Sequence, residues 1–236
     1  MVATGHAGPG DVNKADHGTV PLDGFVHREP EDLVERARAF ADVLSRRRTV
    51  RDYSDRSVPR AVIEHAVRAA GSAPSGANQQ PWHFVAIANP DLKRRIRQAA
   101  EAEERAFYEH RAPEDWLDAL APLGTNADKP FLETAPWLIA VFYERHRVDE
   151  QGQRQKTYYA IDSVGIATGI LITALHQAGL ATLTHTPSPM GFLTDVLGRP
   201  KHERPFVLLV TGYPADAVRV PAIDRKPVSD ILTLLD

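Results

Sequence analysis

Cysteine is absent from this 236-residue chain. Its absence excludes disulfides, thiolate metal sites and a cysteine nucleophile, and suits a reducing compartment. Charge of one sign is also missing: 28 basic and 31 acidic residues leave a net −3, so no global field draws the chain to nucleic acid or to an anionic membrane. No apolar run approaches the length of a bilayer span, and no charged-then-apolar leader opens the chain. A cytoplasmic protein with neither nucleic-acid nor membrane partners is expected. There is no Gly-x-Gly-x-x-Gly and no lysine-bearing phosphate loop, so a nicotinamide or ATP fold has no direct support. A Gly-x-Ser-x-Gly elbow and an internal repeat are missing as well. None of the ten histidines lies three to five residues from another, which removes the short-spaced histidine metal pair. No metal is expected.

What remains is a chain with 43% apolar residues, enough for a sizeable core, and a length that fits one domain with extra arms. Residues 1–28 are rich in Gly, His, Asp and Pro without periodicity and read as a loose arm; residues 29–236 read as the domain. A charged amphipathic helix is predicted over 30–47, with Leu33, Ala37, Phe40, Ala41 and Leu44 on one face. Val58-Pro59 starts a second helix that ends at Gly71. A strand over 83–88 precedes a long charged helix over 90–111. An irregular stretch with room for a short helix follows to residue 130. Pro136 to Tyr143 reads as a buried strand. The stretch 157–179 is so continuously apolar, from Ile161 and Val164 to Leu175, that it reads as a core helix buried on several sides. Strands are predicted over 181–184 and 206–212, and an extended, proline-spaced tail from Tyr213. Helices and isolated strands mix without a βαβ rhythm, so the class is α+β.

Two segments stand out. Arg46-Arg47-Arg48-Thr49-Val50-Arg51 sets several guanidinium groups just past a helix end, where they suit either the exposed helix carbonyls or a bound phosphate. Ala73-Pro74-Ser75-Gly76-Ala77-Asn78-Gln79-Gln80-Pro81-Trp82 is a turn rich in hydroxyl and amide groups, in which Gly76 permits close backbone approach to a ligand. It fits a polar loop, or the pyrimidine edge of a flat heterocycle. On the long helix, Glu104 and Tyr108 are four apart and share a face. With Lys129 they supply partners for both ends of an amino-acid zwitterion, although charged helices contain many such triples. Thr182-Leu183-Thr184-His185-Thr186-Pro187 follows a strand-like run and offers free backbone amides. Arg225-Lys226-Pro227 reads as a basic surface turn.

These strings, in this order from about Ser45 to the C terminus, resemble the nitroreductase family. Glu104, Tyr108 and Lys129, with Thr125-Asn126-Ala127-Asp128-Lys129, resemble its iodotyrosine deiodinase branch. The resemblance implies a central, mostly antiparallel sheet flanked by helices in a domain-swapped homodimer, with FMN at the subunit interface. FMN would be held by Arg47, Arg48, Thr49, Arg51, Pro74, Ser75, Gly76, Asn78, Thr184, His185, Thr186 and Arg225. Thr186 or Thr184 would act beside flavin N5 and favour one-electron steps. A lid over about residues 100–130 would carry the Glu104, Tyr108 and Lys129 clamp, while the amide of Ala77 would meet a phenolate oxygen. The implied activity is reductive dehalogenation of halotyrosines to tyrosine and halide, with NAD(P)H as electron source, directly or through a reductase partner. Two alternatives share these residues: a nitroreductase or flavin reductase acting on nitroaromatics or quinones, and a non-catalytic sensor of tyrosine derivatives. The segment Leu197-Gly198-Arg199-Pro200, with His202-Glu203, also resembles the branch and has no evident chemical task.

Overall fold

The structure, a computed structural model, describes residues 18–235; residues 1–17 of the expected arm lie outside the described residues. The chain divides into two compact units between Ala41 and Asp42, within helix α1 (Pro30–Ser45) rather than at residue 29. None of the α1 residues is buried, and Leu33, Val34 and Phe40 on its apolar side are exposed.

The body contains α2 (Arg60–Ala70), β1 (Trp82–Ile87), α3 (Pro90–Ala106), α4 (Glu114–Leu120), α5 (Phe131–Thr134), β2 (Trp137–Glu144), β3 (His146–Val148), β4 (Arg154–Lys156), α6 (Ala160–Gln177), β5 (Ala181–His185), α7 (Phe192–Val196) and β6 (Glu203–Gly212). Four strands form one sheet in the order β1-β2-β6-β5, antiparallel at every junction. In the centre of β2, Leu138, Ile139, Ala140, Val141 and Phe142 are all fully buried. Such a run is what a strand covered on both faces requires. Period-two alternation then divides it. Leu138, Ala140 and Phe142 pack with Ile96, Ala100, Phe131, Leu132 and Leu193 from α3, α5 and α7. Ile139 and Val141 pack with Ile63, Ala66, Ala70, Val164, Leu171 and Leu175 from α2 and α6. The sheet is thus the middle layer between two helical layers. Each fully buried Leu, Ile or Phe contributes about 1.5–3 kcal/mol. The register shifts between Val141 and Phe142, where Pro205 stands opposite Phe142; proline has no N–H for the ladder.

The helix over 160–177 is less enclosed than its composition predicts. Ile161 and Ile166 are exposed along a stripe that also contains exposed Asp162 and Gly169. Contrary to the expectation that no apolar run approaches the length of a bilayer span, α6 is long and apolar enough to cross a membrane by length and composition alone, yet its other side fills the core with Val164, Leu171 and Leu175. The polar hairpin β3–β4, pairing His146 with Lys156 and Val148 with Arg154, has no counterpart among the predicted elements.

The long charged helix is well specified at its start. Asn89 caps α3 by accepting from the Leu92 N–H at 3.0 Å, and Pro90 occupies the first turn. Buried Lys93 donates to the carbonyls of Glu133 and Ala135, each at 2.7 Å, tying α3 to the end of α5. Beyond Ala106 the helix widens into a π turn, Phe107–Arg111, a feature frequent at functional sites.

Candidate active site

The arginine segment is fixed by the edge of the sheet. Thr49 bridges Thr182 in parallel, Tyr53 bridges Pro214, and the Tyr53 hydroxyl donates to the Val210 carbonyl at 3.1 Å. The tail returns over the same segment: the Arg48 guanidinium donates to the Pro221 carbonyl and that of Arg225 to the Arg47 carbonyl at 3.5 Å. Arg47, Arg48, Thr49, Arg51 and Arg225, with Leu123, Pro221 and Ile223, line a cavity of ≈ 310 Å³. Among the described residues, four guanidinium groups and no carboxylate line it. Burial, then the charges of Arg225 and Arg48, pull Arg47 below the usual arginine range. A cluster of like charges of this kind is complementary to an anion such as phosphate, and to little else.

Arg51 also lines a second cavity of ≈ 310 Å³ that contains Glu104, Tyr108 and Lys129 together with Thr184, His185 and Thr186. Glu104 and Tyr108 reach it from the end of α3 and its π turn. Lys129 comes back from beyond α4, on the turn before α5. Its ammonium stands 3.4 Å from the Glu104 carboxylate, donates to Thr125 Oγ1 at 3.1 Å and to the Asn126 carbonyl, and lies 5.9 Å from the centre of the Tyr108 ring. The Lys129 side chain is only 3% exposed. Burial pulls its pKa down, and the adjacent Glu104 opposes that shift. The Lys129 turn is tied to α3 one helical turn before Glu104, where Glu101 accepts from the Lys129 backbone N–H at 2.8 Å and from Arg97 Nε at 2.7 Å.

Thr184 and Thr186 are exposed, whereas His185 between them is buried, as alternation along β5 dictates. The imidazole sits edge-on to Phe131 with ring centres 5.8 Å apart, and its Nε2 has no hydrogen-bond partner among the described residues. Burial, reinforced by Lys129 and Arg51, holds its pKa at about 3. His185 is therefore a neutral, buried wall of the cavity, whereas the two threonines with which the sequence grouped it line the same cavity as exposed residues. Phe107 and Trp116, 5.2 Å apart and edge to face, complete the lid side of the cavity. Neither was singled out in the sequence, where Phe107 falls on the long charged helix and Trp116 in the irregular stretch after it.

Pro74, Ser75 and Gly76 line neither of these cavities; they line a third with Tyr159, Asp162, Ser163 and Ile166 of the α6 start. Ala77 and Asn78 stay in the same loop and are exposed. Ala77 (φ 51°), Asn78 (φ 52°) and Gln80 (φ 50°) are left-handed, as is neighbouring Tyr159 (φ 51°). Strain concentrated in non-glycine residues of one loop is typical of functional sites. Gly76 is required for a reason other than ligand approach: a Cβ there would lie 2.6 Å from the Tyr158 carbonyl oxygen. Within one chain, then, the arginine cradle and the amide loop are not brought together. Arg199 and Glu203 prove structural, joined by two hydrogen bonds of 2.8 and 2.6 Å across the turn into β6. Among the described residues no group of three or more metal-ligating side chains occurs.

A family model described as Nitroreductase family matches residues 44–213. An iodotyrosine deiodinase of Haliscomenobacter hydrossis is 48% identical over 206 residues, covering 87% of this chain and 93% of that protein. Iodotyrosine deiodinase 1 of Homo sapiens is 42% identical, with 87% and 72% covered. Among solved structures, an oxidized iodotyrosine deiodinase bound to FMN and 3-iodo-L-tyrosine matches with a TM-score of 0.69 at 30% identity, over 80% of this chain and 96% of that one. A nitroreductase with bound FMN from Bacteroides fragilis, 20% identical with a TM-score of 0.60 over 84% and 98% of the two chains, shares the fold.

Proposed function

The chain belongs to the nitroreductase family, and on that premise we propose that it is an FMN-dependent enzyme that removes halide reductively from halotyrosines. The observation that carries this reading is the Glu104–Lys129 pair, 3.4 Å apart, in one cavity with Tyr108, Thr184 and Thr186. A nitroaromatic or a quinone has no use for a buried carboxylate and ammonium side by side; an α-amino acid uses both.

The donor set fits FMN. Arg47, Arg48 and Arg225 take the phosphate in the arginine-lined cavity. Arg51, which lines both cavities, would add a further guanidinium to hold it. Thr186, with Thr184, supplies hydroxyl or backbone donors near N5. When bound, FMN supplies electrons singly as well as in pairs. Glu104 then accepts from the substrate ammonium, while Lys129 and Tyr108 donate to its carboxylate. The Ala77 N–H donates to the phenolate oxygen and favours the ionised ring. Phe107 and Trp116 exclude water from above. In the overall reaction halotyrosine, two electrons and one proton give tyrosine and halide: a carbon–halogen bond breaks and a carbon–hydrogen bond forms.

Ala77 reaches that oxygen only if a second copy supplies the loop, so the reading includes a homodimer whose sites are each built from both chains. Three exposed apolar surfaces support it: the side of α1 with Leu33 and Phe40, the α6 stripe with Ile161 and Ile166, and the tail with Ile231, Leu232, Leu234 and Leu235. Exchange of that tail between copies is the form of domain swapping this reading takes. NAD(P)H, directly or through a reductase, is taken as the electron source and the cytoplasm as the setting, in keeping with a cysteine-free chain.

The test is anaerobic. FMN-loaded protein is reduced with dithionite, 3-iodotyrosine is added, and flavin reoxidation and tyrosine are followed together. Stoichiometric tyrosine is the expected result. Flavin that stays reduced with 3-iodotyrosine but reoxidises with a nitroaromatic would overturn the substrate assignment, and a protein that takes up no FMN would overturn the whole reading.

A further inference from the structure

The loop that carries Ala77 is held unusually fully. The Gly76 N–H donates to Ser163 Oγ at 3.3 Å, that of Asn78 to the Ser75 carbonyl at 3.0 Å, and that of Gln79 to the Gly76 carbonyl at 3.1 Å. The Gln80 N–H donates to Ser75 Oγ at 2.9 Å. Of the five consecutive N–H groups from Gly76 to Gln80, that of Ala77 alone donates to nothing among the described residues.

One side chain anchors this loop to a different part of the chain. Gln79 Nε2 donates to the Lys156 carbonyl at 3.0 Å, and Gln79 Oε1 accepts from the Tyr158 N–H at 2.7 Å. A carbonyl needs the NH2 and an N–H needs the oxygen, so the two partners fix the orientation of the carboxamide. The polar hairpin β3–β4 delivers both: Lys156 ends β4, and Tyr158 stands two residues beyond. The same Tyr158 carbonyl presses on Gly76. Left alone, two successive left-handed residues that lack the freedom of glycine relax toward ordinary φ, and the direction of the Ala77 N–H changes with them.

We propose that Gln79 is a positioning residue for recognition of the phenolate oxygen: its carboxamide locks the loop to the 156–158 segment so that the Ala77 N–H stays turned outward and uncommitted. The inference rests on the halotyrosine reading. It assigns the hairpin a task, as the strut against which the loop is braced.

The experiment compares 3-iodotyrosine with 3-iodophenylalanine, which lacks only the phenol oxygen, by titrating the flavin absorbance of the FMN-loaded, full-length protein. The unaltered chain is expected to prefer 3-iodotyrosine, increasingly as pH rises and its phenol ionises. In Gln79→Met, similar in length but unable to bond, the preference falls about tenfold, the size of one lost charge-assisted hydrogen bond. Its rise with pH flattens, while affinity for 3-iodophenylalanine is unchanged. Gln79→Glu keeps the acceptor for Tyr158 and loses the donor to Lys156, so it gives an intermediate ratio. A general loosening of the fold weakens both ligands together and leaves the ratio alone. A wild-type ratio in Gln79→Met overturns the clamp while leaving the halotyrosine reading intact. Loss of FMN from both variants also overturns it, because Gln79 would then serve the cofactor. Equal binding of the two ligands by the unaltered chain overturns the underlying reading, and the clamp with it.

Discussion

Glu104 and Lys129 satisfy each other across 3.4 Å while 14% and 3% of their side chains remain exposed. Removing the carboxylate leaves the ammonium without its opposing charge and deprives a bound amino acid of its ammonium partner. Glu104→Gln is therefore expected to weaken 3-iodotyrosine binding by about 2 kcal/mol, roughly thirtyfold, in a flavin absorbance titration, with FMN content intact; loss of FMN would contradict the lid assignment. His185 allows a second prediction. Its imidazole titrates at about 3 in the folded chain against 6.5 when free. Above pH 6.5 neither state holds the proton. As the pH falls from 6.5 toward 3, the unfolded chain takes up a proton that the folded chain refuses, so stability declines across that window, by at most about 1.4 kcal/mol per pH unit. His185→Leu should flatten this acid limb in urea denaturation measured at pH 6.5 and pH 4. At this scale much of the site was legible: Glu104, Tyr108 and Lys129 meet in one cavity, as do Arg47, Arg48, Arg51 and Arg225. The burial of His185 was not emphasised by its motif, where it stands between two exposed threonines.

Elements with a strong period or a strong cap were readable, and those without were not. The buried run of β2 and the Asn89-Pro90 start of α3 announce themselves. The β3–β4 hairpin does not, because strands of three polar residues with both faces in solvent carry no alternation. The apolar continuity of α6 predicted burial on several sides, but an exposed apolar stripe has the same composition as core. The loop after α2 illustrates the difference between motif and mechanism: the sequence flagged Gly76 for ligand approach, whereas the tight contact is with Tyr158. Gly76→Ala, with its Cβ 2.6 Å from that carbonyl, should push the loop off the start of α6. FMN content of the purified protein should fall sharply while the thermal transition of the body shifts by only a few degrees, about 1 kcal/mol in a chain of this size.

For the whole molecule, the decisive fact is that the cradle of Arg47, Arg48 and Arg225 and the loop of Ser75 to Asn78 do not share a cavity. Nothing in a sequence says on which side of a fold two motifs emerge, so their order along the chain could not reveal this. If the sites are shared between two copies, as proposed, a charge on the exposed α6 stripe is expected to separate them: Ile166→Glu should sediment as a monomer and lose FMN together, with its far-UV circular dichroism unchanged. A monomer that keeps FMN would show that one chain completes the site.

The separation of cradle and loop also has a genetic form. On the shared-site reading, a chain with a ruined cradle and a chain with a ruined loop are each inactive as homodimers, since every site needs both parts. In a mixed dimer both defects fall in one site, and the other is assembled from the two sound halves. Co-expressing two null alleles, one altered at Arg47 and Arg48 and the other at Gly76, would then rescue each other, and the rescued dimer would carry one working centre.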